Sequence, residues 1–144
     1  MRPLKALIDT NVLLDAIFHR EPFYEHSKRV FDLVESKIII GCISVQSLKD
    51  IYCLCKKMNK NVDPYRIIEQ LSFIFNVVDI NREDSVEALM SNIDDYESAL
   101  LVSSAKRNKI GVIIKRDGKG YCDPNVVMIG PESIDSYIDE AHQD

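Results

Sequence analysis

The sequence predicts an α/β domain, a mainly parallel central sheet with helices on both faces in an α/β/α arrangement. Three observations carry this. Leu4–Ile8 is a continuous run with Lys5 its only polar member, the composition of a strand buried on both faces. Short apolar runs then alternate with helix-period segments, the order expected of a parallel βα-wound sheet. No Asn-Gly or similar signal joins two apolar runs, so tight hairpins are not expected. With 144 residues and 46 % hydrophobic content, residues 1–144 read as a single domain able to bury its own core.

The first strand ends at Asp9-Thr10-Asn11, and Val12-Leu13-Leu14-Asp15 resumes at once as a helix. Asp9 or Thr10 can cap it, a role that suits Thr10 and is incomplete for Asp9, since Asp-x-Asn-x-x-x-Asp is more acidic than a cap requires. His19-Arg20-Glu21-Pro22 is a loop, with Pro22 placed in the first turn of the second helix. Phe23, Val30, Phe31 and Val34 form that helix's apolar face, ending near Ser36. Residues 37–43 form the second strand. Ser44 then caps a helix with Val45, Leu48, Tyr52 and Cys55 as its core stripe and Gln46, Asp50, Cys53 and Lys57 on another face. Asp63-Pro64 opens a helix carrying Ile67, Ile68, Leu71, Ile74 and Phe75. Residues 76–80 form a short strand and residues 83–90 a helix. Asp94-Asp95 begins a helix to about Arg107, and Gly111–Ile114 is a strand. Residues 115–124 read as a loop, Val126–Ile129 as the last strand, and Pro131-Glu132 as the start of the terminal helix.

Bulk properties exclude some classes. No apolar run approaches the ~20 residues of a membrane span. Met1-Arg2-Pro3 leads directly into the first strand, so no signal peptide is expected and a cytoplasmic location follows. Cys42, Cys53, Cys55 and Cys122 show no CxxC spacing, and Cys53 and Cys55 fall on opposite sides of a helix, which argues for reduced, mostly buried thiols. His19, His26 and His142 lie outside the acidic motifs and read as surface residues.

The net charge of −5 is unevenly distributed. Residues 81–100 carry net −5 and residues 101–121 net +5, the latter from Lys106, Arg107, Lys109, Lys115, Arg116 and Lys119. Two readings compete. The blocks are a metal site beside a phosphate-binding rim, or they are ordinary solvated helix ends, the simpler alternative on charge alone.

Asp9 stands at the carboxyl end of a central strand, where open α/β sheets place ligands, and Asp117 follows a strand that shares this edge. Asp50 lies off the core face of its helix, and Asp94, Asp95 and Ser98 lie at a helix start. Clustered carboxylates raise one another's pKa unless a cation neutralises them. An all-oxygen cluster suits Mg²⁺ or Mn²⁺, and paired ions suit phosphodiester hydrolysis.

Over essentially its full length the chain resembles PIN-domain proteins of the VapC-like toxin ribonuclease branch. Leu7-Ile8-Asp9-Thr10-Asn11-Val12-Leu13-Leu14-Asp15 carries the opening motif. Arg20-Glu21-Pro22-Phe23, and Ile43-Ser44 with Leu48-Lys49-Asp50-Ile51-Tyr52, match one branch, while Asp95–Leu100 and Lys115-Arg116-Asp117 resemble the third and fourth motifs. The resemblance implies a Mg²⁺- or Mn²⁺-dependent endoribonuclease with Asp9, Asp50 and Asp117 as catalytic, metal-site carboxylates and Thr10 and Asn11 as polar support. It implies RNA as substrate, held by a rim including Lys115, Arg116 and Lys119, with an antitoxin protein and a homodimer as candidate partners.

Two departures matter. The third family acid falls at Ser98, which supplies no charge, and the acid often found after the fourth motif is absent from Gly118-Lys119-Gly120-Tyr121. Asp95, with Asp94, either substitutes for the missing acid or only complements the helix dipole, the simpler alternative. The rival to a nuclease, one weakened by Ser98 at its second metal position, is a degenerate PIN domain that binds RNA or a protein without cutting. A haloacid-dehalogenase-type phosphatase fits less well, because Asn11 stands where its general acid is needed, and a receiver domain wants an acidic pair on its first strand. Gly118-Lys119-Gly120 lacks Walker spacing.

Overall fold

A computed structural model describes residues 3–58 and 61–143. Met1 and Arg2, and with them the expectation for the extreme N-terminus, lie outside the described residues, as does the side chain of Cys122. The elements are β1 (Leu4–Ile8), α1 (Thr10–Ile17), α2 (Tyr24–Glu35), β2 (Ile39–Ser44), α3 (Val45–Met58), α4 (Pro64–Ile74), β3 (Asn76–Val78) and α5 (Arg82–Met90). They continue with α6 (Tyr96–Arg107), β4 (Val112–Ile114), β5 (Tyr121–Asp123), β6 (Val126–Ile129), a 3-10 turn (Pro131–Ser133) and α7 (Ile134–His142).

The sheet order is β3-β2-β1-β4-β6-β5, so β1 is internal. Every pairing is parallel except β5 with β6. The pleat of β1 sends Ala6 and Ile8 to one layer and Leu7 to the other. The first layer packs Val12 and Leu13 of α1, Val30 and Leu33 of α2, Ile51 of α3, Leu71 of α4 and Ile134 of α7. The second packs Leu101, Val102 and Ala105 of α6 against Leu7, Ile113 and Val126. Both faces of β1 are therefore covered, which is why its sequence is continuously apolar rather than alternating.

From β1 the chain winds outward through β2 and β3, then crosses back to lay β4 on β1's other side. This reversal opens a crevice at the carboxyl ends of β1 and β4, the place where doubly wound sheets bind ligands.

Three local expectations are corrected. Residues 115–124 are not wholly loop, because β5 pairs antiparallel with β6 in a hairpin, its turn closed by the Asn125 N–H donating to Asp123 Oδ1 at 2.9 Å. Tyr121-Cys122-Asp123 has no apolar alternation, so only its backbone pairing defines the strand. Pro22 lies ahead of α2, whose N-cap is Phe23.

The inward stripe of α3 is Ser47, Ile51 and Cys55, while Val45 is half exposed. The serines set this rotation. The Ser47 N–H donates to Ser44 Oγ at 3.1 Å, confirming the cap, and Ser47 Oγ shares a 2.7 Å hydrogen bond with Thr10 Oγ1 of α1. A search for apolar periodicity passes over a buried hydroxyl. Of the cysteines, Cys42 and Cys55 are buried and Cys53 is exposed, so the mostly buried expectation holds for two of the three described.

Candidate metal and active site

Asp9 is the N-cap of α1: its Oδ2 accepts from the Asn11 N–H at 3.3 Å, and its own N–H donates to Ile114 O at 2.9 Å. The cap is thus Asp9, and Thr10 is the first helical residue. Only 4 % of Asp9 is exposed. Burial pushes its pKa above the usual carboxylate value, opposed by the charge of Lys115, the N–H groups of Asn11 and Thr10, and the charge of Arg116. An acid that burial disfavours in its charged form, at the mouth of the crevice, is a carboxylate that gains from a cation.

Asp50 stands one turn beyond Ser47 on α3. The Thr10–Ser47 hydrogen bond therefore docks this part of α3 on the start of α1, beside Asp9. Asp50 is exposed, with Lys49 Nζ 3.4 Å from its Oδ1. Asp95 caps α6, accepting from the Ser98 N–H at 3.1 Å and from Ser98 Oγ at 2.6 Å. The Ser98 hydroxyl, then its N–H, hold the Asp95 carboxyl below its ordinary value against some burial, with Lys115 contributing in the same sense. Lys115 thus acts electrostatically on both Asp9 and Asp95, a position that only the tertiary structure reveals. Asp94 is exposed, and so is Asn11.

Asp117 is exposed and sits in the left-handed region at φ 58°. The neighbouring Arg116 feels the charge of both Asp117 and Asp9, which places these acids about one guanidinium. Among the described residues, no group of three or more His, Cys, Asp or Glu side chains stands close enough to hold a metal ion. Lys115 thus acts on Asp9 and Asp95, and Arg116 on Asp9 and Asp117, with no point shared by three acids among the described residues.

The basic block divides. Lys106 Nζ lies 2.8 Å from Glu87 Oε1 and 3.3 Å from Asp123 Oδ2, and Arg107 Nη2 lies 2.8 Å from Asp84 Oδ2 and 2.9 Å from Asp79 Oδ1. These charges fasten α6 to α5 and to the β5–β6 hairpin. Because α6 starts at the site and runs back along parallel strands for about 18 Å, Lys106, Arg107 and Lys109 lie at the opposite edge. They are not part of a rim beside the acids. Lys119 is exposed and Lys115 half-buried on the Asp9 side.

The sequence reading also missed Asp15, which is fully buried and paired with Arg116. Its signal was present, since Asp15 continues the core-facing run Val12-Leu13-Leu14.

Together these features define an α/β/α domain with carboxylates at the switch point of a parallel sheet. The chain belongs to the PIN-domain family, whose model matches residues 5–119. A toxin-antitoxin complex from Klebsiella pneumoniae superposes with TM-score 0.63 at 20 % identity, covering 88 % of this chain and 97 % of that one. The DNA-bound VapBC from Salmonella typhimurium does so at 0.63 and 17 %, covering 89 % and 98 %. VapC20 from Mycobacterium tuberculosis, described as a Sarcin-Ricin loop cleaving toxin, gives 0.57 and 15 %, covering 75 % and 86 %. At these identities the likeness is one of fold. No curated protein sequence matches the chain.

Proposed function

We propose that this protein is a divalent-metal-dependent endoribonuclease, the toxin of a toxin-antitoxin pair, with Asp9, Asp50 and Asp117 as its metal-site carboxylates and Asp95 beside them. The observation that carries the reading is Asp9, a buried carboxylate at the carboxyl end of a central strand in a PIN fold, held by backbone N–H groups and near two cations. Such an oxygen donor suits Mg²⁺ or Mn²⁺. When bound, the ion activates water and stabilises charge on the phosphate.

The residues divide the work as follows. Asp9 supplies a desolvated charge. Thr10 and Ser47 fix α3, and with it Asp50, against the start of α1. Asn11, exposed in the first turn of α1, lends polar support to the site. Lys115 neutralises Asp9 and Asp95, and, with Lys119, is the cation available to the RNA backbone. The solved toxin-antitoxin complexes motivate an antitoxin protein as partner; a homodimer and action in the cytoplasm are further parts of the proposal.

The degenerate PIN reading is favoured by Ser98 in place of an acid and by the spacing of the carboxylates. A cleavage assay on structured and unstructured RNA, with Mn²⁺, Mg²⁺ or EDTA, decides between them. Cleavage that needs the divalent ion and disappears in Asp9→Asn supports the nuclease. RNA or protein binding with no cleavage under any ion supports the degenerate domain.

A further inference from the structure

Asp15 is fully buried on α1, and an isolated carboxylate there is not tolerated without a partner. Its partner comes from the far end of the chain. Arg116 Nε donates to Asp15 Oδ2 at 2.6 Å, and Nη2 donates to Oδ1, a two-pronged match of guanidinium to carboxylate. Arg20 Nη1 stands further off, 4.0 Å from Oδ1. The guanidinium carbon also lies 3.9 Å over the ring centroid of Phe23, the N-cap of α2. One guanidinium therefore ties α1 and α2 to the segment after β4.

That segment is pinned at every residue but one. The Lys115 N–H donates to Ile129 O at 3.0 Å, and the Gly118 N–H closes a turn onto Lys115 O at 3.0 Å. A Cβ on Gly118 would meet the Ile129 backbone at 2.8 Å, so the chain passes here directly over β6. Between these anchors sits Asp117, exposed and at positive φ, the left-handed region that Asp enters more readily than most L residues and that the flanking hydrogen bonds hold here. The carboxylate assigned to the metal site is thus the most exposed side chain of the turn, with Lys115 and Arg116 partly buried.

We infer that Arg116, gripped by Asp15 and stacked on Phe23, is a positioning residue that imposes the backbone turn presenting Asp117 beside Asp9. Two of its five N–H donors, on Nε and Nη2, are engaged by Asp15 and one face is covered by Phe23, so its assigned role is to hold the turn, in place of the phosphate contact expected from sequence. This inference rests on the nuclease reading for the purpose of the turn, but the turn itself is measured independently of activity.

The test compares the full-length protein with the double variant Asp15→Leu plus Arg116→Met, which replaces the buried pair by apolar groups of similar volume. Arg116→Lys, which keeps a charge but not the two-pronged geometry, is the second variant should the double variant not fold. Amide exchange at Gly118 and Lys115 is followed together with cooperative unfolding, kcat and KM on RNA, and the salt dependence of RNA binding.

Expected in a folded variant are faster exchange at Gly118 and kcat lower by roughly 10–100-fold, the usual effect of losing a group that orients a ligand. KM and the salt slope stay unchanged. Unchanged Gly118 protection in a folded variant overturns the inference. So does a raised KM with a flattened salt slope, which would make Arg116 a phosphate contact. If the unmodified protein neither cuts RNA nor binds Mn²⁺, the nuclease reading falls, and Gly118 exchange alone still decides whether Arg116 holds the turn.

Discussion

Ser98→Asp restores the carboxylate that the family resemblance leads one to expect, and the structure allows its consequences to be worked out. Ser98 is 6 % exposed in the first turn of α6, with its hydroxyl donating to Asp95. Replacing it removes a hydrogen bond to a charged acceptor, worth roughly 1.5–3 kcal/mol. It also sets a second negative charge against Asp95. Two unit charges about 4 Å apart repel by about 1 kcal/mol in water and about 4 kcal/mol at the effective dielectric near a protein surface. The metal-free variant should therefore lose about 3 kcal/mol or more, lowering Tm by about 10 °C in a domain of this size. A divalent ion bound at 100 times its Kd returns about 2.7 kcal/mol, close to the whole deficit. The assay is urea unfolding in EDTA and in MnCl₂, with Ser98→Ala as the control that loses the hydrogen bond alone, so that its deficit relative to the parent is the same in both conditions. An equal deficit with and without Mn²⁺ would refute the reasoning, since position 98 would then not face the ion. A deficit under 1 kcal/mol in EDTA would refute the electrostatics.

Asp9→Asn should stabilise the metal-free protein at neutral pH while abolishing its response to Mn²⁺. Burial raises the folded-state pKa of Asp9, so its contribution to stability is complete below the unfolded value of 3.8 and is lost as pH rises through the raised folded value. Unfolding curves in EDTA should show the gain at pH 7 shrinking toward pH 3.8, and an Asn variant less stable at pH 7 would contradict this. Asp84 behaves in the opposite sense. Burial works against its charge, but Arg107, the Asn81 N–H and the Ser103 hydroxyl together hold its pKa below 3.8, so its contribution is present above that pH and lost below it. Asp84→Asn should cost roughly 1.5–3 kcal/mol at neutral pH and flatten the acid limb of a pH-unfolding series. Gly41→Ala should destabilise by about 1–3 kcal/mol, because the added Cβ would stand 2.7 Å from both Phe75 Cδ1 and Val34 Cγ2; an unchanged urea midpoint would show that this layer yields.

The layered fold is legible in the local pattern of the chain. The unbroken apolarity of Leu4–Ile8 requires cover on both faces, and winding α/β units around such a strand brings its carboxyl end to a crevice. The place of Asp9 at that end was therefore legible, and Asp63 and Ser44 were legible as caps, because these depend on neighbours along the chain. Pairs far apart in sequence are another matter, set by the folded chain. Asp15 and Arg116 are 101 residues apart, so the core-facing run marks Asp15 as inward but nothing local names Arg116 as its partner. The run Lys106 to Lys119 reads as one basic block, yet α6 returns antiparallel to the strands, carrying Lys106, Arg107 and Lys109 to the far edge, while β4 brings Lys115 back to Asp9 and Asp95. The strand β5 exists only through its pairing with β6, and the rotation of α3 only through a hydroxyl contact with α1. Periodicity records which face of an element is apolar, whereas a buried charge or hydroxyl is placed by its partner, and the partner is chosen by the fold.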